Sequence, residues 1–554
     1  MRVAVGDVAI QAFPDKEFEV FDINLCDLEL QNRELWESRG FSLPRFDRVA
    51  VRERTRKAPV WLHFGAGNIF RALPAVMQQR LLDKGLQDRG IIVAEGYDYE
   101  IIDSAYTAYD DLSVSVTLRA DGKIDKTVVA SVVESLITDN NGMLRLRQVF
   151  AAGSLQLVSF TITEKGYNLY GSDGALLPGI REDIGAGASK PQSYLGKLAA
   201  LCLHRYRNGA ASLALVSLDN CSRNGTLLFE AVKFFADAWV ESGAAEEGFL
   251  SYVEDPTRLA FPWSMIDKIT PRPDDSVAQM LKDTGFDGAT GTVTEKNTFI
   301  APFVNSEESE YLVIEDAFPN GRPPLEEEGV KFTGRETVEK TERMKVGTCL
   351  NPLHTGLAVF GCLLSYTRIS DMMKDELLLR LVRRIADEGL PVVVDPKIIS
   401  PADFIDTVIN VRLPNPFMPD TPQRIATDTS QKISVRFGET LKSYKRNALD
   451  VGELRAIPLV LAGWCRYLMG VDDNDDPFDI SPDPMLDVLK PVFAQVRLGE
   501  SFDCEALLRP ILSNDAIFGV DLFEAGISGK VTEYFKEMIS AVGAVRRTLG
   551  TVLL

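Results

Sequence analysis

Between Arg343 and Thr355 the chain reads RMKVGTCLNPLHT, which places a lysine, an asparagine and a histidine within ten residues. Those side chains suffice for a carbonyl reduction without a metal. Lys345 can give or take the proton, the Asn351 amide can donate to a developing alkoxide, and His354 can orient the same oxygen. Asn351 and His354 lie three apart, so on a helix they share one face. Pro352 directly after Asn351 predicts a helix that begins there, with Asn351 as N-cap and Pro352 as the first helical residue. The same segment also fits an ordinary capped helix carrying a satisfied histidine, so its meaning depends on the elements that position it.

Upstream, the apolar run PVWLHF (59–64) has the length and aromatic content of a buried strand. GAGNIFRALPAVMQQRLLDKG then opens on a Gly-x-Gly turn and continues as an amphipathic helix to Gly85, and IIVAEGYD follows as a second buried strand ending in acid. Strand, glycine turn, helix, strand and acid is the order of a mononucleotide-binding unit, in which backbone amides approach a pyrophosphate at a helix N-terminus. Gly65, Gly67, Asn68 and Arg71 are its candidate cofactor residues. Phe70 stands where a third glycine completes the fingerprint, so a plain strand-to-helix turn stays open as the alternative. Asp98, with Glu95 as a second candidate, can accept from an adenosine ribose hydroxyl. Asp98 and Glu100, with no Arg or Lys near them, would repel a 2′-phosphate and favour NAD over NADP.

LSVSVTL, TVVASVV, LQLVSFTIT and LALVSLDN continue the strand pattern, interleaved with helical stretches, and predict a mostly parallel sheet covered by helices. Thr163-Glu164-Lys165-Gly166 and Asp219-Asn220 fall at strand ends, where such sheets bind ligands, though each reads equally as a polar turn. GRPPLEEEG (321–329) marks a linker, and helical patterns dominate beyond Thr333. The expected organisation is an arm over residues 1–57 packed on the next domain, an α/β Rossmann-type NAD domain over 58–332, and a mostly α-helical substrate and catalytic domain over 333–554. The lysine segment follows the join, where a cleft would form.

Composition narrows the function classes. The 554 residues are 45% hydrophobic and 25% charged, as in folded globular chains, and too many for one ordinary domain. A net charge of −20 disfavours nucleic acid and anionic membranes as partners, and admits an anionic ligand only where a few Arg or Lys side chains reverse the field locally. Seven cysteines without paired spacing indicate a reducing compartment, and a cytoplasmic location is expected. The acid at Asp7 interrupts any signal-like apolar run. Val346 to Thr367 is long enough to test as a membrane span, but Asn351, Pro352 and His354 make a buried helix the better reading. Only His63, His204 and His354 occur, far apart, so no metal site is expected.

Taken together, GAGNIFRA, TITEKGY, SLDN…NG, DKITP, YLVIEDAFPNGRP and Lys345…Asn351-x-x-His354, in that order from about Phe41 onward, resemble the long-chain mannitol dehydrogenase family of polyol dehydrogenases and hexuronate reductases. The resemblance implies a metal-independent, NAD(P)-linked enzyme with a Rossmann-type domain followed by a helical one. It implies Lys345 as general acid/base, Asn220 and Asn351 as oxyanion donors, His354 on the reacting oxygen and Glu342 near the proton path. By the same resemblance Asp267, Arg424 and Lys432 contact the substrate, and Thr163, Glu164 and Gly166 flank the cofactor. The spacing from Lys345 to Asn351 is six where the family's is five. CLNPLHT and the long arm look most like the fructuronate reductase side, implying hydride transfer between NADH and a ketohexuronate, fructuronate to mannonate. Mannitol 2-dehydrogenase or tagaturonate reductase activity and, more remotely, a silent NAD-binding protein are the alternatives. The expected partner is a sugar acid or polyol; the oligomeric state is left open, a monomer included.

Overall fold

The computed structural model describes residues 23–28, 32–272 and 275–554. Six strands, β1 (Trp61–Phe64), β2 (Ile91–Glu95), β3 (Val132–Ile137), β4 (Leu157–Phe160), β5 (Leu213–Ser217) and β6 (Leu259–Ala260), form one sheet in the order β3-β2-β1-β4-β5-β6. Every pairing in it is parallel. The strand order reverses between β1 and β4, the point at which an open α/β sheet leaves a crevice at its carboxyl edge. β1, β2, β4 and β5 are buried at every position, as a sheet covered on both faces requires. Helices Pro74–Asp83, Asn140–Ala151, Tyr194–Arg207 and Asn224–Glu241 supply that cover.

The expected strand run divides between two sheets. Ser113–Leu118 pairs antiparallel with Ile124–Val129 and parallel with Phe303–Glu307, in a separate four-stranded sheet whose edge is Phe41–Ser42. TVVASVV breaks at Ala130–Ser131, its first half in that sheet and its second half forming β3. The break is fixed by side chains: Gln79 Oε1 accepts from Ala130 N at 2.9 Å and Ser131 Oγ donates to Ala75 O at 2.6 Å. The described part of the N-terminal arm packs on this smaller sheet, where the Trp36 and Phe41 rings meet edge to face at 5.1 Å and Phe286 closes over both.

Beyond residue 333 the chain is helical around one large apolar core. Its central element runs from Arg335 to Leu363; it is the one helix among the described residues long and apolar enough to cross a membrane, and 78% of its apolar window is buried within the fold. This helix does not begin at Asn351. Arg335–Met344 leads into a π-turn, Lys345–Cys349, and continues as Asn351–Leu363. Asn351 therefore makes no side-chain cap, contrary to the sequence expectation. The physical reason lies in Pro352, which has no N–H and whose ring clashes within a regular α-helix. The π-turn widens the helix just ahead of it: Leu350 N donates to Lys345 O at 3.0 Å, five residues back, and the α pattern resumes with His354 N to Leu350 O at 3.1 Å. Two more π-turns occur at Val408–Arg412 and Ser434–Gly438.

Candidate active site

Residues just beyond β1, β4 and β5 line a cavity of about 610 Å³ whose other walls come from Ile266–Ile269, at the end of the Ser264–Asp267 strand, and from the helical part, including Glu342–His354, Arg412 and Asp420–Arg436. Lys345 sits in this wall, 3% exposed. Its Nζ donates to Asn220 Oδ1 and to the Ile266 carbonyl, both at 3.0 Å, and Asp267 Oδ1 lies 3.7 Å away. A lysine has only donors, so the Asn220 amide must turn its oxygen toward Nζ and its Nδ2 elsewhere. Burial pulls the Lys345 pKa below its ordinary value, with the Asp267 carboxylate working against it. The extra residue between Lys345 and Asn351 is taken up by the π-turn, and both side chains reach the cavity.

Asn220 is held from behind. Asp219, the residue before it, accepts from Ile162 N (3.0 Å), Thr163 N (2.8 Å) and the Tyr167 hydroxyl (2.6 Å), which ties the TITEKGY turn to the end of β5. Thr163 takes up φ 64° in that turn, and Thr163 and Glu164 are exposed. Asn224 is fully buried; it donates to Ser217 O, Asp219 O and Ser264 O and accepts from Ser264 N at 3.0 Å. Gly225 beside it has no room for a side chain, since a Cβ would stand 2.6 Å from Phe261 O. The SLDN…NG pattern is therefore the clamp that joins β5 to the Ser264–Asp267 strand.

Asp267 lines the cavity, but its carboxylate is engaged: Oδ2 accepts from Arg412 Nη1 at 2.8 Å. Arg412, on the second π-turn, also grips Glu307 with Nε and Nη2, both at 2.7 Å. Burial opposes the Arg412 charge, and Asp267 and Glu307 outweigh it, so the guanidinium pKa is raised. Asn351 and His354 line the cavity side by side, and His354 Nε2, 3.7 Å from Asp420 Oδ2, has no hydrogen-bond partner among the described residues. Burial brings the His354 pKa down to about 4, against Asp420, so the ring is neutral at physiological pH. Glu342 lines both this cavity and a neighbouring one of about 360 Å³.

The two basic residues expected on the substrate are unequal. Arg424 pairs with Asp420 and leaves 63% of its side chain exposed, so it stands neutralised at the rim. Lys432 donates to Thr427 O, and burial lowers its pKa. Arg436, on the third π-turn, also lines the cavity. Sequence reasoning had missed Arg412, Arg436 and Glu307; nothing in linear spacing marks a π-turn or a partner more than a hundred residues away.

The glycine turn suits a dinucleotide. Gly65 has φ 101°, and a Cβ there would lie 2.1 Å from Thr161 O; at Gly67, which precedes the Asn68–Ala72 helix, a Cβ would meet nothing within 4 Å. The first glycine thus makes the turn and the second leaves its backbone open to a ligand. Asn68 is partly exposed at the helix start. Three residues expected at the cofactor, Arg71, Glu95 and Asp98, are buried in the protein. Arg71 is 1% exposed beneath the turn, its guanidinium 5.9 Å from the Tyr106 ring, and Tyr106 OH donates to Ala66 O. Glu95 is 6% exposed and accepts from Ala66 N and Tyr97 N, which shapes the turn itself. Asp98, 3% exposed, accepts from Thr294 Oγ1 at 2.7 Å. Gly166 packs on Ile162, where a Cβ would come within 2.8 Å. The supposed absence of a cation near Asp98 also fails: the hairpin that supplies Thr294 sets Lys296 over the Tyr97 ring at 4.0 Å. Among the described residues no group of three or more His, Cys, Asp or Glu could hold a metal.

Both halves of the chain match known domains. The mannitol dehydrogenase Rossmann domain matches residues 60–327 and the mannitol dehydrogenase C-terminal domain matches residues 337–539. The D-mannonate oxidoreductase of Thermotoga maritima is 50% identical over 95% of this chain and 98% of its own length. The mannitol 2-dehydrogenase of Neosartorya fischeri is 29% identical over 88% of this chain and 90% of its own. In fold, the chain is similar to Pseudomonas fluorescens mannitol 2-dehydrogenase, solved with NAD and D-mannitol (TM-score 0.64, 24% identity, 94% of this chain and 99% of that one). A D-sorbitol dehydrogenase is similar too (TM-score 0.73, 23% identity, 91% and 97%). With both domain matches in sequence order over most of its length, the chain belongs to the mannitol dehydrogenase family.

Proposed function

We propose that this chain interconverts D-fructuronate and D-mannonate with NADH as the reductant, in the cytoplasm, with Lys345 as the general acid/base. The observation that carries the reading is the buried Lys345 ammonium, held by Asn220 and the Ile266 carbonyl at 3.0 Å each and facing a cavity that Asn351 and His354 share. The 50% identical D-mannonate oxidoreductase supports the choice of substrate. Six basic side chains against four acidic ones line the cavity of a chain whose net charge is −20, which also favours an anionic sugar.

The Gly65–Asn68 turn would hold the cofactor pyrophosphate by its backbone, and NADH bound there supplies the hydride for the ketone carbon. Asn220 Nδ2 and the Asn351 amide donate to the ketone oxygen and stabilise the charge that develops on it. Lys345 then gives its proton to that oxygen, and the neutral amine regains one on the Glu342 side, where two cavities meet. In the reverse direction the neutral amine removes the hydroxyl proton.

The test is NADH oxidation with D-fructuronate, D-tagaturonate and D-fructose side by side. Preference for D-fructuronate is the expected result. Preference for D-tagaturonate reassigns the epimer, and preference for D-fructose makes the chain a mannitol 2-dehydrogenase.

A further inference from the structure

Most cations on the cavity wall are already answered by a carboxylate. Arg412 is bound to Asp267 and Glu307, Arg424 to Asp420, and Lys268 to Glu310. Arg436 is different. Its one side-chain hydrogen bond among the described residues runs from Nη1 to Thr355 Oγ1 at 2.5 Å, and no carboxylate pairs with it there. Among the described residues Nε and Nη2 have no hydrogen-bond partner, which leaves one edge of a planar fork open, and such a fork matches the two oxygens of a carboxylate.

We propose that Arg436 receives the substrate's carboxylate, at the end of the sugar chain remote from the reacting ketone; the proposal rests on the ketohexuronate reading above. The guanidinium is pre-set by its backbone. The Ser434–Gly438 π-turn that carries it is pressed against the 515–518 helix, where a Cβ on Gly438 would stand 2.0 Å from Phe518 O. Thr355, which fixes Nη1, lies on the same helix as Asn351 and His354, so the proposed anion subsite and the reacting centre are built on one rigid element. Burial without a counter-ion brings the Arg436 pKa down to about 10, a cost that an arriving carboxylate would relieve. Lys432 is the weaker candidate because its ammonium already donates to Thr427 O.

The experiment compares kcat/KM for D-fructuronate and D-fructose, which differ in charge at the remote carbon, in wild type, Arg436→Gln and Arg436→Lys. Thermal melting and NADH affinity establish that each variant is folded. Arg436→Gln should lower kcat/KM for D-fructuronate by about 10²-fold, mainly through KM, the scale of a lost charge-assisted hydrogen bond, and leave D-fructose nearly unchanged. Arg436→Lys should recover part of the loss. D-mannonate binding to the NADH complex should weaken in parallel with the D-fructuronate KM. Equal losses on both substrates, or unchanged D-mannonate binding, overturn the assignment while leaving the reductase reading intact. A wild type that prefers D-fructose overturns that reading, and the Arg436 assignment falls with it.

Discussion

Lys345 Nζ and Asn220 Oδ1 lie 3.0 Å apart across 125 residues of sequence, one on the helical part and the other at the end of β5. The helical part and the carboxyl edge of the sheet thus meet at this hydrogen bond. Lys345→Ala should lower kcat by about 10²-fold or more, the usual scale for a lost acid/base, while NADH still binds by fluorescence titration. A variant that keeps wild-type turnover removes Lys345 from the mechanism.

The pH dependence should run in opposite senses for the two directions. With Lys345 as the proposed acid/base, the reduction rate should fall as pH rises through the lowered pKa, and the oxidation rate, which would use the free amine, should rise there. Asp267 favours the ammonium, and Asp267→Asn should move both limbs to lower pH. His354, at about 4, adds no limb near 6.5. Rate profiles with D-fructuronate and D-mannonate check the signs, and limbs that stay in place in Asp267→Asn break the link between the two residues.

Cofactor choice should depend on the edge formed by Tyr97, Asp98 and the hairpin over it. Asp98 and Glu100 still put negative charge there, and NADH should be preferred. Lys296, seated on Tyr97, is the cation that would tolerate a 2′-phosphate. Lys296→Ala should therefore reduce kcat/KM with NADPH more than with NADH. Equal effects would place the adenosine ribose elsewhere.

His63 makes the fold acid-sensitive. It is 0% exposed between Ser159 Oγ at 2.6 Å and Thr161 Oγ1 at 2.9 Å, and burial holds its pKa at about 3 against 6.5 for a free imidazole. The unfolded chain takes up a proton that the folded one refuses, so stability is present above 6.5 and is lost as pH falls from there toward 3. The loss from this group is about 3 kcal/mol by pH 4. Denaturant unfolding of His63→Asn at pH 7 and pH 4 should show a shallower pH dependence than wild type.

The parts of the fold legible in the sequence were those with a local signal. PVWLHF, the glycine turn and IIVAE announced β1, its turn and β2 because burial on both faces demands continuous apolar runs. TVVASVV was equally apolar yet belongs to two sheets, since hydrophobicity records burial and not strand partner. Lys345, Asn351 and His354 could be read together because they share one helix. Arg412 and Arg436 could not, because their neighbours on the cavity wall are set by helix packing. Asp98 and Glu95 carried the right charge for a ribose contact, but Glu95 is taken up by the amides of Ala66 and Tyr97 beside it, and Asp98 by the hydroxyl of Thr294, which arrives almost two hundred residues later.

The turn at Lys345–Cys349 also couples the two halves of its helix in angle. One residue of an α-helix spans about 100° of rotation and 1.5 Å of rise, so the surplus residue sets the phase of Glu342 and Lys345 relative to Asn351 and His354. The wide turn absorbs that residue, so the amine stays on the wall that the amide and imidazole occupy; a further residue inserted between 346 and 350 with no second wide turn to absorb it would swing the amine away by about 100°. The length of this window and its winding, α or π, together set the angle at which the chemistry is presented.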